Sequence, residues 1–465
     1  MATTDTLEDA TVETFANQLH GEALRPGADG YDEARTLWNA MIDKEPAVIA
    51  RCTGAADVIA AVEFARDLDL PLAVKGGGHN VAGTALCENG LVIDLSLMDA
   101  VRVDPDARTA RVGAGATIGD LDHETQAFGL ATTGGIMSET GVAGLTLGGG
   151  LGYLARQYGL AHDNLRSMDV VTADGELVHA SAEENADLFW GMRGGGGNFG
   201  IATSFEFELH DLGPEILNVR LIYPPDQIPD TLRFYDEFMR DAPNEVGCYA
   251  GILEGSPEYG LPEELHGVTL LAFRGLYAGD ASDGREAFRP LREFGDPLAD
   301  MTQPIPYTEH QKQADDLYCE GHRNYWKSNF YDGISEGFVD VLMEYTADIP
   351  SPYSSVFFEW MGGAIAERDH DATAFPHRDR AFAFTVAPKW TDPDRDDEHL
   401  EWARAFHEAL EPYAADGVYV NYLSEDEERV SDAYGERYER LRDLKRDWDP
   451  ENLFRTNQNV DPASG

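Results

Sequence analysis

Two glycine-dense runs constrain this chain more than any other feature. The first, Lys75-Gly76-Gly77-Gly78-His79-Asn80, follows an apolar stretch, Pro71–Val74, that reads as a strand. The second extends from Gly134 to Gly152 and contains Thr140-Gly141-Val142-Ala143-Gly144 and Gly148-Gly149-Gly150. Glycine has no Cβ, so it lets backbone approach backbone or ligand closely and takes positive φ without strain. Loops of this kind turn their N–H groups toward an anion and nest phosphate oxygens without a cationic side chain. Two of them suit a dinucleotide with two phosphates. Neither fits the Rossmann fingerprint. Gly150-Leu151-Gly152 has Ala155 where the third glycine is due, and no strand immediately precedes it. A P-loop Gly-Lys-Ser/Thr string is absent. The residues alone imply a nucleotide-sized anion in a glycine cradle.

At 465 residues the chain has room for two domains with their own cores. Acidic residues number 85 against 35 basic ones, a formal net charge of −50. Such a balance argues against nucleic acid and anionic membrane surfaces as partners, since both call for basic patches. Hydrophobic residues make up 43% and aromatics 10%, a globular rather than a disordered composition. The reading is a strongly acidic, hydrated surface of the salt-adapted kind. Cys52, Cys87, Cys248 and Cys319 show no CxxC spacing, so neither a zinc site nor a disulfide framework is expected. The acidic start of the chain has no apolar signal region, and no stretch approaches about 20 apolar residues. A cytoplasmic protein without membrane insertion is the expectation.

In the first half, Ala56–Leu68 reads as a helix and Leu91–Leu95 as a buried strand. Asp169–Ala180 reads as a hairpin turning at Asp174-Gly175. Ser181 and Glu184 form a capping box for a helix through Leu188-Phe189-Trp190, stopped at Gly194–Gly197. Ile201–Leu209 alternates as a half-buried strand. Prolines cluster at Pro214–Pro229, a boundary beyond which no further phosphate loop occurs. The middle offers strands at Val268–Phe273, Val356–Trp360 and Ala381–Val386 and a helix at Glu398–Leu410. A last helix carries Tyr434, Tyr438, Leu441 and Trp448 and stops at Asp449-Pro450. No internal repeat or low-complexity segment is present. The expected domains are 1–215 and 415–465 together around the glycine loops, with 216–414 inserted for the substrate.

Several segments together resemble a known family: PLAVKGGGHNVAGTAL with LVIDLSLM, GVAGLTLGGGLGYLARQYGLAHDNL, DLFWGMRGGGGNFGIAT, AFPHRD, YVNYL and DWDPENLFRTNQNV. They run from about residue 40 to about residue 460, in the order of the FAD-linked oxidases of the vanillyl-alcohol-oxidase (PCMH-type) fold. Within it the chain is most similar to the berberine-bridge-enzyme-like branch and its prokaryotic 6-hydroxy-D-nicotine oxidase-like group. The resemblance implies an α+β fold: a two-part FAD-binding domain and an inserted domain with a large antiparallel sheet backed by helices. It implies that His79 bonds the 8α-methyl of FAD. A neutral imidazole on a rigid loop suits that bond, being a nucleophile facing an electrophilic methyl. Some relatives add a cysteinyl link, and Met137 stands at that cysteine's place, so no cysteinyl link is expected. The resemblance further assigns cofactor contact to Lys75, Gly76, Gly77, Gly78 and Asn80, and to Thr140, Gly141, Val142, Gly144, Gly148 and Gly149. It adds Tyr153, Asn164, Gly200, Ile201, Asn421, Tyr422, Asn457 and Gln458.

Oxidising an alcohol or amine needs a group to take the substrate proton. Phe357, Glu359 and Met361 share one strand face by two-residue periodicity, which makes Glu359 the first candidate. Tyr419 and Tyr422 stand beside it, and His310, His322 and Lys327 lie in a stretch within reach of a pocket. The expected function is oxidation of a C–OH or C–N centre of a small molecule, with electrons passed to O2 or another acceptor. Two rivals keep the cofactor: flavin-driven cyclisation or C–C bond formation, and a non-catalytic flavin-binding protein. The surface charge predicts its own test. Self-repulsion destabilises the folded state when unscreened, so Tm rises between low salt and molar KCl. A Tm indifferent to KCl contradicts the salt-adapted reading.

Overall fold

Three short apolar strands, Val48–Arg51, Leu72–Lys75 and Leu91–Asp94, lie parallel, with Leu91–Asp94 in the centre. Parallel neighbours cannot be joined by a tight turn. Helix Ala55–Asp67 makes one crossover, burying Val58, Ala61, Val62 and Ala65. Strand Leu72–Lys75 runs straight into Gly76–Gly78, so the first glycine loop sits at the carboxyl end of a parallel strand. In open parallel sheets this is where ligands bind. The computed structural model describes residues 7–257, 261–426 and 429–463.

A second sheet is antiparallel, in the order Val101–Asp104, Thr109–Gly113, Ile201–Glu208, Leu165–Val171, Leu177–Ser181. Its last two strands form the expected hairpin, with Val171 opposite Leu177 across the turn. Strand Ile201–Glu208 alternates as read, Phe205 and Phe207 inward and Glu208 outward. Ser181 departs from the expectation. Its Oγ accepts from the Glu184 amide at 3.1 Å, but the Ser181 amide donates to the Glu184 carbonyl rather than to its carboxylate. Asn185 then takes φ of 48°, and the helix starts only at Ala186. Ser181 thus closes a turn ahead of the helix and does not cap it.

The first two sheets share one core with residues from the far end of the chain, among them Val418, Leu423, Tyr434, Leu441, Phe454 and Val460. The last helix is broken where the sequence pattern reads through. Gly435 takes φ of 47° and separates Val430–Tyr434 from Tyr438–Trp448. From its last turn, buried Lys445 donates to Asp449 at 2.7 Å, and Asp449, just past the end, accepts from the amides of Leu453 and Phe454. That places the final segment against the core.

The inserted sheet has eight strands. Its main path is Ala299–Asp300, Glu215–Tyr223, Thr269–Tyr277, Val246–Glu254, Ser355–Trp360, Phe382–Ala387, Lys327–Tyr331, all antiparallel. Helices Ile228–Asp241, Glu336–Thr346 and Asp396–Leu410 cover one face. There Tyr235, Phe338 and Phe406 pack on Phe273, Phe358 and Phe384. Each such large apolar side chain contributes about 1.5–3 kcal/mol by leaving water. Strand parity sends the alternate residues, Phe357 and Glu359 among them, to the opposite face, which looks toward the glycine loops. Among the described residues no helix is long and apolar enough to cross a membrane.

Candidate active site

The two glycine loops touch each other. A Cβ on Gly77 would stand 2.5 Å from the Gly141 nitrogen, and one on Gly141 equally close to the Gly77 nitrogen. No other residue fits at either position without parting the loops. Beneath this contact a cavity opens toward the inserted sheet. Gly76, Gly77, Gly78, His79 and Asn80 line it from the first loop, and Met137, Thr140, Gly141, Gly144 and Gly148 from the second. Gly200, Ile201, Asn457 and Gln458 contribute from the far ends of the shared core, while Glu359, Asn421 and Tyr422 complete the wall. The cradle is tight. A Cβ on Gly148 would meet Asn421 Oδ1 at 2.0 Å, and one on Gly200 would meet Val170 Cγ1 at 2.5 Å.

His79 follows Gly78, whose φ is 69°. Its ring stacks on Trp38 at 5.4 Å with planes 16° apart. Burial pushes its pKa down to about 4, so the imidazole is neutral near pH 7. Its Nδ1 is buried and makes no hydrogen bond. A neutral ring with an uncommitted nitrogen, held flat against an indole, is a nucleophile in a fixed pose.

Glu359 is 1% exposed. Burial pushes its pKa up to about 7, with Tyr422 pulling the other way. Neither carboxylate oxygen has formed a hydrogen bond. Tyr422 lies well above the ordinary phenol value, through burial first and the neighbouring Glu359 second. Its ring packs edge-on against Trp326 at 5.1 Å and Phe357 at 6.0 Å. This aromatic wall desolvates Glu359, and a carboxyl titrating near neutrality exchanges protons readily.

Several expected contact residues stand outside the cavity and hold its walls. The Tyr419 hydroxyl accepts from the amides of Gly150 at 2.9 Å and Leu151 at 3.4 Å and from Asn421 Nδ2 at 2.9 Å. That saturates its acceptor capacity, so Tyr419 latches the second glycine loop to the C-terminal segment. Gly149, with φ of 139°, lies under its ring. Lys75 donates to the carbonyls of Ala34 and Thr36, at 2.7 and 3.1 Å. Val142 is buried, its amide bonded to the Ala116 carbonyl. Asn164 donates to the carbonyls of Tyr158 and Leu160, and Tyr153 lines a smaller neighbouring cavity.

His310 pairs with Asn218 at 2.8 Å, the His322 ring lies tilted against Tyr353, and Lys327 pairs with Asp426 at 3.4 Å. None of the three lines the cavity. Among the described residues no group of three or more His, Cys, Asp or Glu is placed to hold a metal ion. Sequence reading missed Trp38, Tyr318 and Trp326, aromatic wall residues brought in from distant segments without a local pattern. It also missed Gly196, Gly197 and Asn198 as contact residues, although the two glycines were read as a helix stop and all three lie in the family-like segment DLFWGMRGGGGNFGIAT.

Comparison with known proteins matches residues 46–181 to an FAD binding domain and residues 418–461 to the "berberine and berberine like" family. The chain is 30% identical to an FAD-linked oxidoreductase of Dictyostelium discoideum, over 97% of each chain. It is 31% identical to the (R)-6-hydroxynicotine oxidase of Paenarthrobacter nicotinovorans, over 96% of this chain and 97% of that one. This chain belongs to the berberine-bridge-like FAD-linked oxidoreductases. Its fold superimposes on the 6-hydroxy-D-nicotine oxidase structure from Arthrobacter nicotinovorans with a TM-score of 0.86 at 28% identity, covering 96% and 98% of the two chains. The residues of the cavity fit the family's cofactor. The glycines leave no room for side chains, His79 Nδ1 is uncommitted, and buried Asn457 Oδ1 is likewise without a partner.

The Glu359 pKa has a consequence for stability. At about 7 it lies above the ordinary 4.5, so the folded state holds a proton that the unfolded chain has lost between these values. Stability therefore falls as pH rises through that window. Glu359→Gln removes the loss, and the variant's Tm gains on the wild type from about pH 5 to about pH 8. A Tm difference independent of pH contradicts the assignment.

Proposed function

We propose that this oxidoreductase carries FAD covalently through His79 alone and oxidises a C–OH or C–N centre of a small molecule, with Glu359 as the proton acceptor. The observation that carries the reading is the sharing of one cavity by a neutral, uncommitted imidazole and a buried carboxyl poised near neutrality. When bound, FAD would supply the two-electron acceptor for the substrate and pass the electrons on to O2 or another acceptor. The chain's own residues do the rest. The glycine loops and Gly200-Ile201 bind the nucleotide through their backbone, and Asn457 and Gln458 border the same space. Trp38 keeps the imidazole of His79 in place.

Met137 lines the cavity where relatives with a second link have cysteine, and none of the four cysteines lines it, which supports a single bond. At the reacting end, Phe357, Trp326 and Tyr422 exclude water around Glu359. The Glu359 carboxylate then takes the proton of the substrate hydroxyl or amine. Tyr422 keeps its own proton and offers a hydroxyl beside it. The relative named for oxidising 6-hydroxynicotine supports an oxidase reading of the same site.

Denaturing intact-mass measurement tests the tether. The wild type weighs the polypeptide plus FAD, His79→Ala weighs the bare polypeptide, and Cys87→Ser keeps the added mass. A wild type at polypeptide mass sinks the proposal. Anaerobic stopped flow tests the base. Glu359→Gln slows flavin reduction by roughly 10²–10⁴-fold, the usual worth of a general base, while the added mass stays. Reduction at the wild-type rate would transfer the role to Tyr422.

A further inference from the structure

The inserted sheet carries a polar cross-strand row on the face that looks toward the cavity. Glu359 pairs with Tyr249, Tyr249 with Arg274, and Arg274 with Arg220, on four adjacent strands. Residues paired directly across a sheet point to the same side, so acid, phenol and two guanidiniums form one line. Tyr249, Arg274 and Arg220 line a second cavity, and this shares Ile136, Tyr318 and Phe357 with the first. The two spaces adjoin at the reacting end.

Two arginines side by side repel each other, and directly opposed like charges are destabilising in a sheet. Their position is the more unusual here, where acidic residues outnumber basic ones by 85 to 35. Nearby arginines on the same domain, such as Arg233, Arg240 and Arg289, are paired with carboxylates. Arg274 enters no ion pair among the described residues, and it is only half-buried. Its charge bears on Arg220, His310, Tyr153 and Tyr318. A cation kept beside a second cation, in a cavity walled by tyrosines, lacks a counter-ion that the protein itself supplies elsewhere.

We propose that Arg274, flanked by Arg220, binds a carboxylate on the substrate, so that the substrate lies along the row with its reacting carbon beside Glu359. The inference rests on the proposed function for which end reacts, and it adds the substrate class. Strands lie about 4.8 Å apart, so Glu359 and Arg274 are separated by two spacings, on the order of 10 Å between backbones. Tyr249, Tyr318 and Phe357 line the interval. The molecule that fits has an alcohol or amine at one end, a flat apolar middle and an anion at the other. A guanidinium holds a carboxylate through two parallel hydrogen bonds, which sets orientation as well as affinity.

The test titrates the holoenzyme with 4-phenylbenzoate and with 4-phenylbenzamide, two probes of one shape that differ in charge. Binding is read from the fluorescence of Trp38 and Trp326, which line the cavity, so the readout is independent of flavin reduction. The wild type binds the carboxylate roughly tenfold or more tightly than the amide, the worth of one charge-assisted hydrogen-bond pair. Arg274→Gln abolishes that preference, and Arg274→Lys keeps part of it. Arg220→Gln, which weakens the preference, serves if Arg274→Gln does not fold. Equal affinity for the two probes, binding of neither, or a preference that Arg274→Gln leaves intact overturns the proposal. A chain that prefers the carboxylate yet carries no flavin sinks the proposed function and leaves the anion site standing. A flavinylated chain indifferent to charge does the reverse.

Discussion

The contact between Gly77 and Gly141 is the constraint on which the rest of the site depends. Two backbones meet there at a distance that excludes any side chain. One belongs to the loop leaving a parallel strand, the other to the run that leads into helix Val142–Leu147. Their meeting fixes the position of His79, two residues past Gly77, and of Gly144 and Gly148, one and two turns into the second run. Relax this contact and the imidazole, the cradle and the wall against Asn421 shift together. A glycine is weak evidence in a sequence because it permits many shapes. Here the structure uses its other property, absence of bulk, and that use admits few alternatives.

The chemistry at the opposite wall depends on burial without pairing. Ionised groups inside this protein are generally matched, as Lys445 is with Asp449 and Arg378 with Asp163. Glu359 has no cation beside it, and the cost of desolvating a lone carboxylate is met by holding a proton instead. His79 answers the same pressure by giving its proton up. One dry environment thus keeps the imidazole neutral and sets the carboxyl near its midpoint at neutral pH, where it can give or take a proton.

Much of this was readable from residue order. The glycine runs, the histidine behind the first and the placing of Glu359 with Phe357 all follow from local rules: backbone permission, loop composition and strand parity. The segments at both chain ends marked the same family because their residues sit on shared loops. What sequence could not show is whatever depends on register or on distant partners. Tyr419 looked like a phenol near the chemistry, but Gly150, Leu151 and Asn421 occupy its oxygen. Trp38 meets His79 from 41 positions away with no pattern to announce it. The row of Glu359, Tyr249, Arg274 and Arg220 needs four strands aligned, and the strand of Glu359 is about 100 residues away in sequence from the strand of Tyr249 beside it. Local signals also failed where a turn imitates a cap, at Ser181, and where one glycine interrupts a helical pattern, at Gly435.

The latch between Tyr419 and Gly150 spans 269 residues of chain, and Asn421 packs onto Gly148 across a similar separation. During synthesis the first half can form its two sheets and present both glycine loops, but the second loop lacks its clamp until residues 418–460 have been made. The nascent cradle is therefore open on one side for more than half of translation. Completion is consequently ordered in time: the cofactor pocket is clamped only after the inserted residues have been made and the last segment has returned to the first core. A ribosome stalled anywhere in the inserted domain would hold a chain with His79 in place and no finished pocket around it.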